Sequence, residues 1–119
     1  MSNILLIEDN ADMRIVTRLV LERAGHQVQE AVDPAEAQTM LRESSEPTPD
    51  VIIADMRMPV MSGLEFARRL DAEASLSHIP VVLLTGDVEA KNYAPDSVHV
   101  VIKPFEPDDL VALVEDLTH

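Results

Sequence analysis

The chain has 119 residues, 46% of them apolar, which fits one compact domain over 1–119 and argues against disorder. Cysteine is absent, which excludes disulfides and thiolate metal sites, and the net charge of −13 sets up a field that repels DNA and argues against direct nucleic-acid binding. No apolar run approaches the ~18 residues that span a bilayer, and the opening Met1-Ser2-Asn3-Ile4 lacks the basic stretch of a secretory signal, so a cytoplasmic domain with no membrane contact is expected.

The first apolar block, Ile4-Leu5-Leu6-Ile7, is a continuous run of the kind that forms a strand covered on both faces, and it ends in Glu8-Asp9. A helix is predicted over Asp12 to Ala24, with Met13, Val16, Leu19 and Val20 at helical spacing and Gly25 as its stop. The second block, Val28 to Val32, is the most polar, which places it at a sheet edge. Asp33-Pro34-Ala35-Glu36 opens the second helix, with Asp at the cap, Pro in the first turn and Glu three residues on. Glu43 to Asp50, with Pro47 and Pro49, reads as a loop. The third strand, Val51-Ile52-Ile53-Ala54, runs directly into Asp55, and Leu64, Ala67 and Leu70 mark a third helix. Val81-Val82-Leu83-Leu84 forms the fourth strand and ends at Thr85. Only Gly86 to Ser97, interrupted by Pro95, separate it from the fifth, Val98 to Ile102. That leaves room for roughly one or two turns of a fourth helix. Lys103-Pro104 follows the fifth strand, and Glu106-Pro107-Asp108-Asp109 opens a last helix with Leu110, Leu113, Val114 and Leu117 on one face.

Strand and helix alternate throughout, which predicts an α/β fold: a parallel sheet with right-handed crossovers and helices on both faces. In such sheets ligands sit beyond the carboxyl ends of the strands. Glu8, Asp9, Asp55, Thr85 and Lys103 all fall there. Taken singly, each has an ordinary reading as a solvated turn charge or a strand-end hydroxyl; their convergence at one end of one sheet does not. Two carboxylates ~4 Å apart repel by ~4 kcal/mol at an effective dielectric of ~20, so the group calls for a cation. Hard oxygen donors without imidazole or thiolate point to Mg²⁺, with Mn²⁺ or Ca²⁺ as alternatives. Thr85 and Lys103 suit phosphoryl oxygens, and a carboxylate so placed can attack phosphorus to give an aspartyl-phosphate.

These residues resemble the receiver domain of two-component response regulators, over the whole chain. Glu8-Asp9 matches the family's acidic pair, and Asp55-Met56-Arg57-Met58-Pro59-Val60-Met61-Ser62-Gly63 its phosphoacceptor segment. Thr85-Gly86 matches the hydroxyl residue with a small follower, and Lys103-Pro104-Phe105 the Lys-Pro-Phe run. The resemblance implies a doubly wound, flavodoxin-like five-stranded sheet of order 2-1-3-4-5. It implies Asp55 as phosphoacceptor, with Asp9, Asp55 and the Arg57 backbone carbonyl as Mg²⁺ ligands and Glu8 reaching the metal through water. Thr85 and Lys103 would bind the phosphoryl group, and Lys103-Pro104 is commonly cis in the family. The implied partners are a histidine kinase or histidine phosphotransfer protein upstream and a protein target downstream. The only chemistry implied is the domain's own phosphorylation and dephosphorylation.

Two departures from the family concern output. Val100 stands where an aromatic often couples to the threonine, and the fourth helix is short, as in receivers attached to hybrid histidine kinases. Arg57 and Asp87, two residues after the acceptor and the threonine, form either an ion pair across the mouth of the site or two separately solvated side chains. Met56, Met58 and Met61 read as packing, and His26, His78, His99 and His119 share no ligand spacing. A haloacid-dehalogenase-type phosphatase is disfavoured, since Arg57 stands where its second acid belongs. A phosphorylation-independent adaptor would gain little from so much mutual repulsion.

Overall fold

The computed structural model describes residues 2–43, 48–58 and 60–118. In chain order the elements are β1 (Asn3–Ile7), α1 (Ala11–Arg23), β2 (Gln27–Ala31), α2 (Pro34–Glu43), β3 (Val51–Asp55), α3 (Gly63–Asp71), β4 (Val81–Thr85), α4 (Ala90–Tyr93), β5 (Val98–Ile102) and α5 (Pro107–Leu117). The five strands form one sheet of order β2-β1-β3-β4-β5, every neighbouring pair parallel. The expected doubly wound α/β fold and strand order are both present.

The continuous apolar runs are explained by cover on both faces. Residues of β1, β3 and β4 alternate between two core layers. Leu5, Ile7, Ile52, Ala54 and Leu83 pack with Phe66 and Leu70 of α3 and Ala37 of α2. Ile4, Leu6, Ile53, Val82 and Leu84 pack with Leu21 of α1 and Leu110 and Val114 of α5. β2 lies at the edge, as its polarity predicts, and its burial alternates.

Local chemistry sets the helix starts. The Asn10 side chain accepts from the Met13 amide at 3.0 Å, so α1 begins one residue earlier than its apolar pattern suggests. Gly25, at φ 95°, turns the chain out of α1. Asp33 accepts from the Glu36 amide at 2.8 Å, and the Glu36 carboxylate reaches back to the Val32 amide at 3.2 Å, a reciprocal cap displaced by one residue from the usual box. Of the loop expected at 43–50, residues 44–47 lie outside the described set, as do Pro59 and His119; Asp50 accepts from the Asn3 amide at 2.8 Å.

Two observations differ from expectation. The apolar stripe of α1 does not supply its buried face: Thr17 and Leu21 do, while Met13, Val16 and Leu19 are 37%, 57% and 47% exposed. The sheet-facing direction of α1 is rotated away from the stripe, which lies along its flank. His26, given no role from spacing, is buried, and its Nδ1 accepts from the Ser2 amide at 3.2 Å, tying Ser2 to the turn that leads into β2.

Candidate functional site

Because every strand is parallel, the last residues of β1, β3, β4 and β5 arrive at one rim. Hydrogen bonds extend the ladders past the strands: the Glu8 amide donates to Ala31 O at 3.1 Å, Met56 to Leu84 O at 2.8 Å and Lys103 to Thr85 O at 2.7 Å. Gly63 lets α3 close on this rim. A Cβ there would stand 2.3 Å from the Asp55 carbonyl oxygen and 2.7 Å from Leu83 Cδ1, so only glycine allows the approach.

Glu8, Asp9 and Asp55 are brought together, each contributing a carboxylate oxygen within 4.8 Å of the others. Glu8 and Asp55 are buried and Asp9 is exposed. The Lys103 ammonium pairs with Asp55 Oδ1, and the Lys103–Pro104 peptide is cis. Thr85 is buried beside them at the end of β4, and its hydroxyl accepts from the Asp87 amide at 3.0 Å. All five convergent residues expected from sequence therefore share one rim. Arg57 follows in the loop after β3 with its side chain exposed.

Burial pushes the Glu8 carboxyl up to about 7; the Asn10 amide pulls against this, and the nearby Asp55 charge adds to the rise. One lysine against three acids leaves a surplus of negative charge made of hard oxygen donors. That donor set fits a divalent cation of the Mg²⁺ kind.

Two features of the site escaped the sequence. Arg14 of α1 donates to the Glu8 backbone carbonyl at 2.8 Å and lies 3.9 Å from the Glu30 carboxylate, bracing the loop that carries the acidic pair. A cation one turn into the helix after an acidic pair is the signal that points to it. The second is Tyr93, whose hydroxyl donates to Asp87 Oδ2 at 2.6 Å, while Asp87 Oδ1 accepts from the Glu89 amide at 2.9 Å. Neither arrangement open for Arg57 and Asp87 is the one found. Among the described residues no ion pair joins them, yet Asp87 is not simply solvated either, being bonded to Tyr93 and Glu89 with the Arg57 charge acting on it from a distance. The Tyr93 hydroxyl first, and the Glu89 amide second, hold the Asp87 carboxyl below its usual range.

Next to the acidic rim is a cavity of about 410 Å³ lined by Met13, Val16 and Val20 of α1 with Lys103, Phe105 and Leu110. It joins the exposed stripe of α1 to the lysine that touches Asp55.

Residues 4–115 match the family model of the response regulator receiver domain. The chain is 39% identical over 116 residues to the phosphate regulon transcriptional regulatory protein PhoB of Klebsiella pneumoniae, covering 94% of this chain and 49% of that protein. It is 35% identical over 118 residues to the sensor histidine kinase TmoS of Ectopseudomonas mendocina, covering 96% of this chain and 12% of that protein. The chain thus spans half or less of these relatives. Among solved structures, the signal receiver domain of a signal transduction histidine kinase from Syntrophus aciditrophicus superposes with a TM-score of 0.86 at 29% identity, covering 99% of this chain and 90% of that one.

Proposed function

The chain belongs to the response regulator receiver domains, and on that premise we propose that it is a phosphorelay switch over 1–119 whose phosphoacceptor is Asp55. The observation that carries this is the Glu8–Asp9–Asp55 cluster with Lys103 on the Asp55 carboxylate. The donor is a phosphohistidine on a histidine kinase or phosphotransfer protein in the cytoplasm. An Asp55 oxygen attacks phosphorus, the P–N bond breaks, and the imidazole nitrogen leaves with the bonding pair. Lys103 exchanges Asp55 Oδ1 for a phosphoryl oxygen, and the Thr85 hydroxyl donates to another, so both offset charge that the transfer brings into the site. Asp9, Asp55 and the Arg57 carbonyl would hold Mg²⁺, with Glu8 contributing through water. When bound, that ion neutralises phosphoryl charge.

The exposed flank of α1, Ile15, Val16 and Leu19 beside the cavity that ends at Lys103, is where the phosphohistidine-bearing protein docks. Its apolar surface runs up to the acceptor, so a helix laid on it presents a histidine to Asp55. The output is a change in the domain's own protein-binding surface, read by a downstream partner, and the domain turns over no substrate besides its own phosphoryl group.

Intact-mass measurement after incubation with acetyl phosphate tests the acceptor. One phosphoryl mass is expected with Mg²⁺ and none after chelation. Asp55→Asn should abolish incorporation while circular dichroism shows an unchanged fold. Full incorporation in the Asn variant assigns the acceptor elsewhere.

A further inference from the structure

Between β4 and β5 the chain is held by a short relay of hydrogen bonds that starts at the site. The buried Thr85 hydroxyl accepts from the Asp87 amide at 3.0 Å. Asp87 then fastens both ends of the α4 turn: Oδ1 accepts from Glu89 N at 2.9 Å, its carbonyl from Ala90 N at 3.1 Å, and Oδ2 from the Tyr93 hydroxyl at 2.6 Å. α4 has only four residues, and of them only Ala90 is buried. Tyr93 is 45% exposed and Val88 68%, so packing contributes little to holding this segment.

Resting on the acceptor reading above, we propose that Thr85, Asp87 and Tyr93 form a latch. It holds α4 in place while Asp55 is unmodified and lets it go when the Thr85 hydroxyl turns to a phosphoryl oxygen. In this state Thr85 Oγ1 accepts from the Asp87 amide, and its hydroxyl hydrogen is free to donate elsewhere. Drawing Oγ1 toward a phosphoryl oxygen on Asp55 either leaves the Asp87 amide without its acceptor or pulls the Asp87 backbone along. In both cases the backbone geometry that sets the Asp87 carboxylate against Tyr93 is loosened. The freed phenol and Val88 then become the surface presented to the downstream partner.

Tyr93 is the only tyrosine and tryptophan is absent, so intrinsic emission reports on this latch alone. A phenol donating to a carboxylate is quenched. Beryllofluoride with Mg²⁺ is the probe, its binding followed independently by ¹⁹F resonance. The wild type should brighten on loading. Asp87→Ala should be bright from the outset and change no further. In Tyr93→Phe, amides of 89–94 should exchange about three- to tenfold faster than in the unloaded wild type, with little further gain on loading. Bound fluoride with unchanged emission, or exchange in Tyr93→Phe equal to wild type, overturns the latch and leaves the acceptor reading standing. No bound fluoride and no phosphoryl mass overturns the acceptor reading and the latch with it.

Discussion

At the end of β1 two neighbouring acids occupy different environments: Asp9 stands in solvent, while Glu8 is only 4% exposed, against Asp55. Burial raises Glu8 to about 7 from 4.5. Its folded state therefore holds a proton more tightly than its unfolded state does. The stability this lends is full below pH 4.5 and is lost as pH rises through about 7, on the order of 3 kcal/mol in all. Metal-free protein should accordingly lose stability from this group between about pH 5 and pH 8. Glu8→Gln, which cannot ionise, should flatten that part of the slope. Mg²⁺ should restore stability at the alkaline end, where the acids are charged, and do little at the acid end. Urea midpoints of both proteins at the two pH values, with and without Mg²⁺, give the comparison. A slope identical in wild type and Glu8→Gln would remove Glu8 as its source.

At the scale of elements, the strands were legible because parallel strands buried on both faces must be continuously apolar, and Ile4 to Ile7, Val51 to Ala54 and Val81 to Leu84 have no other comfortable place. Their order was not in that pattern, beyond the polar second strand at an edge, and came with the family resemblance. The parallel reading put Glu8, Asp9, Asp55, Thr85 and Lys103 at one rim, since residues that end parallel strands share a side. The orientation of a helix about its own axis was less legible. In α1 the residues facing the sheet are Thr17 and Leu21, and a threonine gives no apolar signal, so the stripe through Met13, Val16 and Leu19 reads as core when it is surface. Tyr93 was missed for a related reason: its role depends on the six-residue reach back to Asp87 around a turn too short to show periodicity. The exposed stripe has a functional consequence. Val16→Glu or Leu19→Glu should slow transfer from a phosphohistidine protein at least about tenfold, by removing apolar contact and adding a desolvated charge. Labelling by acetyl phosphate, which needs no docking, should stay as in the wild type. Equal loss with both donors would mean that the substitutions disturb the site itself and that the donor docks elsewhere.

The molecule as a whole carries −13, and one Mg²⁺ leaves it strongly negative. Small phosphodonors such as acetyl phosphate are anions, so on the acceptor reading the body of the domain should repel them even while Lys103 and a bound Mg²⁺ would attract them locally. These two influences have different ranges. Lys103 touches Asp55 and is screened little by salt, whereas most of the acidic residues act from many ångströms away through solvent. Raising ionic strength from about 10 mM to about 150 mM shortens the screening length from about 30 Å to about 8 Å, which removes the distant repulsion and spares the local attraction. At saturating Mg²⁺, labelling by acetyl phosphate should therefore quicken several-fold over that range. Mg²⁺ affinity should weaken over the same range, since the distant acids attract a dication as they repel an anion. Quench-flow labelling and Mg²⁺ titration at the two salt concentrations measure the opposed trends. If both quantities fell together, the phosphodonor would be responding to the positive charge of the loaded site alone, and the acidic surface would have no part in selecting what reaches Asp55.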